Sequence, residues 1–217
     1  MIAGIFKQKQ YTARKEFEFI LTQITKCYKL MLTDYSIIEN DENIIRNRLH
    51  KDYLDNQQIL EQFNLQAYFF DIETPYVDKN YKETARSDIK IYDPIERIQN
   101  RKSPYFIIEC KRLDGTNSGK GSLNYKYVEN GIKRFTSRAD YPTFFGINGM
   151  IGFVLKTKEI VKIVNSINHL LPENENLNSK LIGEHFEFSY LSKHTDYQDK
   201  NIKLYHLMLD FSSQIKK

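Results

Sequence analysis

Cysteine is nearly missing from this chain: Cys27 and Cys110 are the two thiols among 217 residues, too few for a disulfide framework or a zinc cluster. Cys27 reads as a small buried hydrophobe, because the helical pattern around it places it on an apolar face. The five histidines do not supply a metal site either, since His50, His169, His185, His194 and His206 show no spacing that matches zinc ligation. No apolar run reaches the ~18 residues of a membrane span. The opening Met-Ile-Ala-Gly-Ile-Phe-Lys lacks the apolar stretch of a secretory signal. The expectation is a cytoplasmic protein with no membrane association. No repeat and no linker interrupts the sequence, so a single domain over residues 1–217 is expected. Charge of one sign is also scarce: 32 Lys and Arg against 28 Asp and Glu leave +4, which permits a polyanionic partner without requiring one.

What is present is a globular composition, 41% apolar residues with charges spread along the chain, enough to bury a core. Phe17, Ile20, Leu21, Ile24, Cys27, Tyr28 and Met31 recur at helical spacing and predict a first helix over about 13–32. A second is expected from Asp41 to Leu54, with Ile45, Leu49 and Tyr53 or Leu54 inward and Asn40 or Asp41 as N-cap. The period then shortens to that of strands. Strands are predicted over 66–73, 84–92 and 105–113, with a polar hairpin turn over 95–102. A Gly- and Ser-rich loop over 114–122 leads to a helix over 124–137. A strand over 149–155, a helix over 157–171 capped by Thr157, and a pair of late strands over 185–191 and 203–211 complete the order. That order is an α/β (α+β) arrangement, a mixed central sheet flanked by helices. The loop segment Gly115-Thr-Asn-Ser-Gly119-Lys120-Gly121 imitates a phosphate-binding loop. It has three residues where that motif needs four and a glycine where it needs Ser or Thr, so nucleotide binding is not expected.

The chemistry concentrates in Ser87-Asp88-Ile89 and Ile107-Ile108-Glu109-Cys110-Lys111. Alternate residues of a strand share a face, so Glu109 and Lys111 point one way and Cys110 points toward the core. Charged groups inside an apolar strand are costly unless paired or metal-bound. If the two strands are neighbours, the carboxylates of Asp88 and Glu109 converge, and a divalent cation relieves their repulsion. Lys111 then stands beside metal and phosphate, where it orients or helps deprotonate an attacking water.

Asp followed at this distance by Glu-x-Lys resembles the PD-(D/E)XK, restriction-endonuclease-like nuclease superfamily. Ser87 stands here in place of the namesake proline. The resemblance covers about residues 41–155 and implies an αβββαβ core, with the first helix and last strands as additions. It implies an Mg2+- or Mn2+-dependent nuclease acting on phosphodiester bonds. DNA is the expected substrate, with RNA open, and a role in host defence or restriction is implied. Asp88, Glu109 and the carbonyl of Cys110 would be metal ligands, and Lys111 would handle the water. Glu42 is read either as an auxiliary ligand or base, or as a first-turn carboxylate favoured by the helix dipole; Glu39, one turn earlier, fits less well. On the helix after the motif, Tyr127, Gly131 and Arg134 fall at i, i+4 and i+7. Gly131 would let the helix approach the sheet or a nucleic-acid backbone closely. Tyr127 and Arg134 either contact nucleic acid or pack and pair within the fold. Lys120, Lys126, Lys133 and Arg138 add positive charge that would attract phosphates without reading sequence. With no separate recognition domain visible, specificity is expected from a partner or from dimerisation, and a homodimer would supply the two active sites that cutting both strands commonly takes. The alternative is a non-catalytic module that binds nucleic acid or protein on the same fold.

Overall fold

A computed structural model describes residues 2–77, 79–92, 105–138, 140–156, 159–183 and 186–216, with side chains described from Tyr11 onward. The expected 95–102 turn, the Thr157 cap and His185 lie outside these residues. Helix α1 (Ile2–Asp34) is longer than the apolar period alone foretold. Its predicted inward residues, from Phe17 to Met31, are all buried. Helix α2 (Glu42–Leu49) starts where Asp41 accepts the backbone N–H groups of Asn43 and Ile44. It continues as a π turn, His50–Leu54, that keeps Tyr53 and Leu54 in the core. A short helix, α3 (Gln57–Gln62), was not foreseen. It is capped by Asn56 and carries no fully buried side chain, so it leaves no apolar signature in the sequence.

Strands β1 (Phe69–Val77), β2 (Glu83–Tyr92) and β3 (Phe106–Leu113) form an antiparallel meander. The first begins later than expected because a turn closes before it, with Tyr68 N–H donating to the Leu65 carbonyl at 2.9 Å. Pro75 is tolerated within β1 because β1 is an edge of the sheet. Helix α4 comes next as Leu123–Tyr127, a π turn Val128–Ile132, and Lys133–Phe135 without a break. Strand β4 (Ile147–Val154) then lies parallel to β3, and helix α5 (Ile160–Asn168) covers it. A two-residue strand β5 (Asn178–Ser179), then β6 (Ser189–Thr195) and β7 (Asn201–Asp210), complete the sheet. The late strands pair with each other antiparallel, as expected, and β7 also runs parallel to β4.

The result is one mixed seven-stranded sheet, β1-β2-β3-β4-β7-β6-β5, with helices on both faces. On one face, α1 and the α2 segment pack on Ile89, Ile108, Cys110, Ile151 and Leu207. On the other, α4 and α5 pack on Ile107, Leu113, Met150, Leu204 and Met208. Alternation along β3 thus sends Glu109 and Lys111 to the α4 face and Cys110 to the α1 core. No helix among the described residues is long and apolar enough to cross a membrane.

Candidate functional site

The site forms where two paired strands part. β2 and β3 are in register from Ile91↔Phe106 to Ile89↔Ile108, and the pairing stops there. The next residues, Asp88 and Glu109, would have faced each other. Instead, the Asp88 carboxylate enters the gap and its Oδ2 accepts the backbone N–H of Cys110 at 2.7 Å. This satisfies an amide that the splayed ladder leaves over, and it fixes the carboxylate in place. Glu42, from α2 in one layer, reaches the same gap and accepts the Arg112 N–H at 2.9 Å. Arg134, from α4 in the other layer, meets it from the opposite side.

Lys111 is the hub. Its ammonium lies 2.7 Å from Glu109 Oε1, 3.2 Å from Glu42 Oε1 and 3.7 Å from Asp88 Oδ2, and it donates to the Cys110 carbonyl at 2.7 Å. Burial alone would lower its pKa, but Glu109, Asp88 and Glu42 outweigh burial and hold it above an ordinary lysine. The four residues expected to act together therefore do come together: Asp88, Glu109, Lys111 and Glu42. Glu42 both contacts Lys111 and stands in the first turn of α2, where the helix dipole favours a carboxylate, so the two readings of it are compatible.

Glu109 is fully buried. Its Oε1 accepts from Lys111 and, at 2.6 Å, from Arg134 Nη1. Its Oε2 lies 2.6 Å from Tyr141 Oη, which is also 2.7 Å from the Arg86 carbonyl oxygen. A phenol has one proton to give. Both contacts hold a proton if Tyr141 donates to Arg86 and a protonated Glu109 donates to Tyr141. Burial, and then repulsion from Asp88, raise the Glu109 carboxyl to about 7, which agrees with that assignment. Burial likewise lifts the Cys110 thiol well above its usual range, so Cys110 is no nucleophile.

Arg46, Glu73 and Tyr141 were missed in the sequence. Arg46 is 2% exposed, and its Nη1 donates to Asp88 Oδ1 at 2.6 Å while pairing with Glu73. It sits four residues after Glu42, on the same helix face, and that spacing was the available signal. Glu73 holds φ +52°, left-handed and unfavourable for a residue with a side chain, directly across from the Asp88 segment. Tyr141 comes from a loop, where periodicity carries no information.

Of the three expected nucleic-acid contacts, Tyr127 and Arg134 follow their other reading, packing and pairing within the fold, and Lys120 stands away from the cleft. Tyr127 is fully buried, and its hydroxyl lies 2.9 Å from His206 Nδ1, so it is a core residue and not an interface residue. Tyr127, Gly131 and Arg134 do share one face, as expected, but that face is turned to the sheet: Gly131 stands against Met150 and Lys111, and Arg134 reaches Glu109. Arg134 holds Glu109 and Asp140, with its guanidinium over the Tyr141 ring. Lys120 is exposed on the loop before α4 and does not line the cleft over Lys111. Gly131 does allow close approach: a Cβ there would stand 2.4 Å from Met150 Cε and 3.6 Å from Lys111 Cγ.

That cleft, of about 600 Å3, opens over Lys111 and Glu42 and is bordered by Arg112, Lys126, Arg134 and Arg138. Among the described residues, no group of three or more His, Cys, Asp or Glu side chains is gathered closely enough to cage a metal. The donor set that does exist is different in kind. Glu109 Oε1, the Cys110 carbonyl and Asp88 Oδ2 all point at one spot, where a cation, the Lys111 ammonium, now stands. Two carboxylates and a carbonyl are hard oxygen donors that suit magnesium or manganese, which keep water in their remaining positions.

Comparison with known proteins returns no match for this chain among family models, curated proteins or solved structures.

Proposed function

We propose that the chain is a divalent-metal-dependent nuclease that hydrolyses phosphodiester bonds, with DNA as the first substrate to test and RNA as the second. The observation that carries this reading is the meeting of Asp88, Glu109 and Lys111 in the gap between β2 and β3, beneath a cleft bordered by Arg112, Lys126 and Arg138. The αβββαβ order over residues 42–154 is consistent with the resemblance to restriction-endonuclease-like enzymes. Asp88, Glu109 and the Cys110 carbonyl would hold Mg2+ or Mn2+, which when bound supplies Lewis acidity at phosphorus and a more acidic water.

The chain's own groups do the rest. Asp88 is held on both oxygens, by Arg46 and by the Cys110 N–H, and so is fixed before any substrate arrives. Glu109 gives up its proton to solvent, and Tyr141 then donates to its Oε2 instead of to the Arg86 carbonyl, which keeps its donor from Arg134 Nη2. Lys111, freed from between the carboxylates, turns its ammonium to a phosphate oxygen and offsets charge that grows as the bond breaks. The cleft arginines and lysines hold the backbone by charge, independent of base sequence.

The test is plasmid and oligonucleotide cleavage with and without Mg2+ or Mn2+. Asp88→Asn, Glu109→Gln and Lys111→Met should each reduce the rate at least about 100-fold while circular dichroism and melting show a folded protein. Undiminished cleavage by all three would remove the proposal. One observation favours the second reading, a non-catalytic binding module: each site carboxylate already has a protein cation, Arg46 for Asp88 and Arg134 for Glu109. Calorimetry separates the two, because a module binds nucleic acid normally and takes up no divalent metal.

A further inference from the structure

A second basic surface lies on the other face of the sheet. Lys193 of β6 and Lys203 of β7 are directly opposite one another in the antiparallel ladder. They lie on the α1 face, the side away from Glu109 and Lys111, because Tyr205 and Leu207, two and four residues on from Lys203, belong to the α1 core. Opposed side chains in such a pair have Cβ atoms about 5 Å apart, and like charges there are destabilising. No described carboxylate lies within ion-pair distance of either lysine. An anion seated between the two ammonium groups would relieve that repulsion, and with Lys193 exposed and Lys203 half-buried, both are reached by solvent and can receive one.

The surroundings say which anion. The two lysines line a groove of about 1030 Å3, closed by the start of α1, the loop before β4 and the β6–β7 turn. Arg14 and Lys200 add positive charge. Arg14 is held by Glu18 at 3.1 Å, and Lys200 donates to Gln198. Two carboxylates, Asp196 and Asp199, also line the groove. Asp196 Oδ1 is engaged within the turn, accepting the Gln198 and Lys200 N–H groups. Two aromatic rings are exposed at the rim, Tyr11 at 61% with the Lys15 ammonium over its ring, and Phe144 at 43% with Tyr105 packed against it in a T-shaped pair. An inorganic phosphate or an acidic peptide would use the lysines and have no use for the rings. A single-stranded nucleic acid uses both, its phosphates on the cations and its unpaired bases stacked on the aromatics.

We infer that this groove binds a segment of single-stranded nucleic acid, at a site separate from the cleft over Lys111. The paired lysines and the exposed rings point to it, with no appeal to cleavage activity. The test is fluorescence anisotropy of a labelled single strand of about 16 nucleotides, in EDTA, over a range of salt. Lys193→Glu with Lys203→Glu should weaken binding at least about ten-fold and reduce the slope of log K against log salt by about 1.4, the value for two lost phosphate contacts. Phe144→Ala should weaken binding and leave that slope unchanged. Lys193→Thr with Lys203→Thr should melt higher than the parent, because the repulsion is gone, while binding falls. Unchanged affinity and slope in the double charge reversal would overturn the inference. So would a polyglutamate peptide that displaces the strand at equal charge concentration, since the groove would then serve an acidic protein segment. Because EDTA prevents metal-dependent cleavage, either result is independent of the nuclease reading.

Discussion

At the residue scale, Glu109 sets the chemistry and gives the sharpest pH prediction. Its carboxyl is raised to about 7 from an ordinary value near 4.5. Between those values the folded chain keeps a proton that the unfolded chain releases. The stabilising contribution is therefore complete below about 4.5 and is lost as pH rises through about 7, a decline of roughly 3 kcal/mol. In urea melts of the metal-free protein from pH 4.5 to 8, the stability difference between the parent and Glu109→Gln should show that decline, since an amide cannot titrate and the opposite trend from buried His194 and His206, whose pKa values are lowered, is common to both. A parallel slope in the variant would mean that another group is responsible. Arg46 is the converse case, a buried cation that serves two carboxylates. Arg46→Met would leave Asp88 and Glu73 uncompensated and should cost roughly 3–5 kcal/mol in the same melts, whereas an unchanged midpoint would mean that water reaches both acids.

At the scale of elements, the gap between β2 and β3 and the two π turns position everything else. The sequence announced most of the elements because period two and period 3.6 are written in apolar residues such as Ile89, Ile91, Ile107 and Ile108, or Phe17 through Met31. It announced Asp88, Glu109 and Lys111 because charges in apolar strands stand out. It did not announce the π turns, since an extra residue in a helix changes no residue type. Tyr127, Gly131 and Arg134 were read onto one face, and that face meets the sheet. Nor did it announce Tyr141, whose partner Glu109 is 32 residues away, or the left-handed Glu73, which faces Asp88 across the β1–β2 ladder. Gly131 was read correctly, and it yields an element-scale prediction. Gly131→Val would press a branched side chain on Met150 and on the stem of Lys111. It should destabilise by about 1–3 kcal/mol and reduce cleavage beyond what the lost stability explains. Equal stability and equal activity would show that α4 can retreat from the sheet.

At the scale of the whole molecule, the sheet stands between the cleft over Lys111 and the groove lined by Lys193 and Lys203. The charge-balanced state around Lys111 explains how four carboxylates, Glu42, Glu73, Asp88 and Glu109, can share one gap in the absence of metal: Arg46, Lys111 and Arg134 stand among them. That balance has a consequence for binding. Under the proposed function a divalent ion would have to displace the Lys111 ammonium and the Glu109 proton, so metal affinity should rise with pH through about 7, and calorimetry in buffers of different protonation enthalpy should register proton release on binding. Affinity independent of pH, with no proton released, would place the metal elsewhere.

The most direct measurement is an anomalous difference map from crystals soaked in manganese. A peak bonded to Asp88, Glu109 and the Cys110 carbonyl, with the Lys111 ammonium moved out toward the cleft, is the predicted result. A saturated soak that leaves Lys111 seated between the two carboxylates, with no peak beside them, would contradict the assignment of this gap as a metal-dependent active centre.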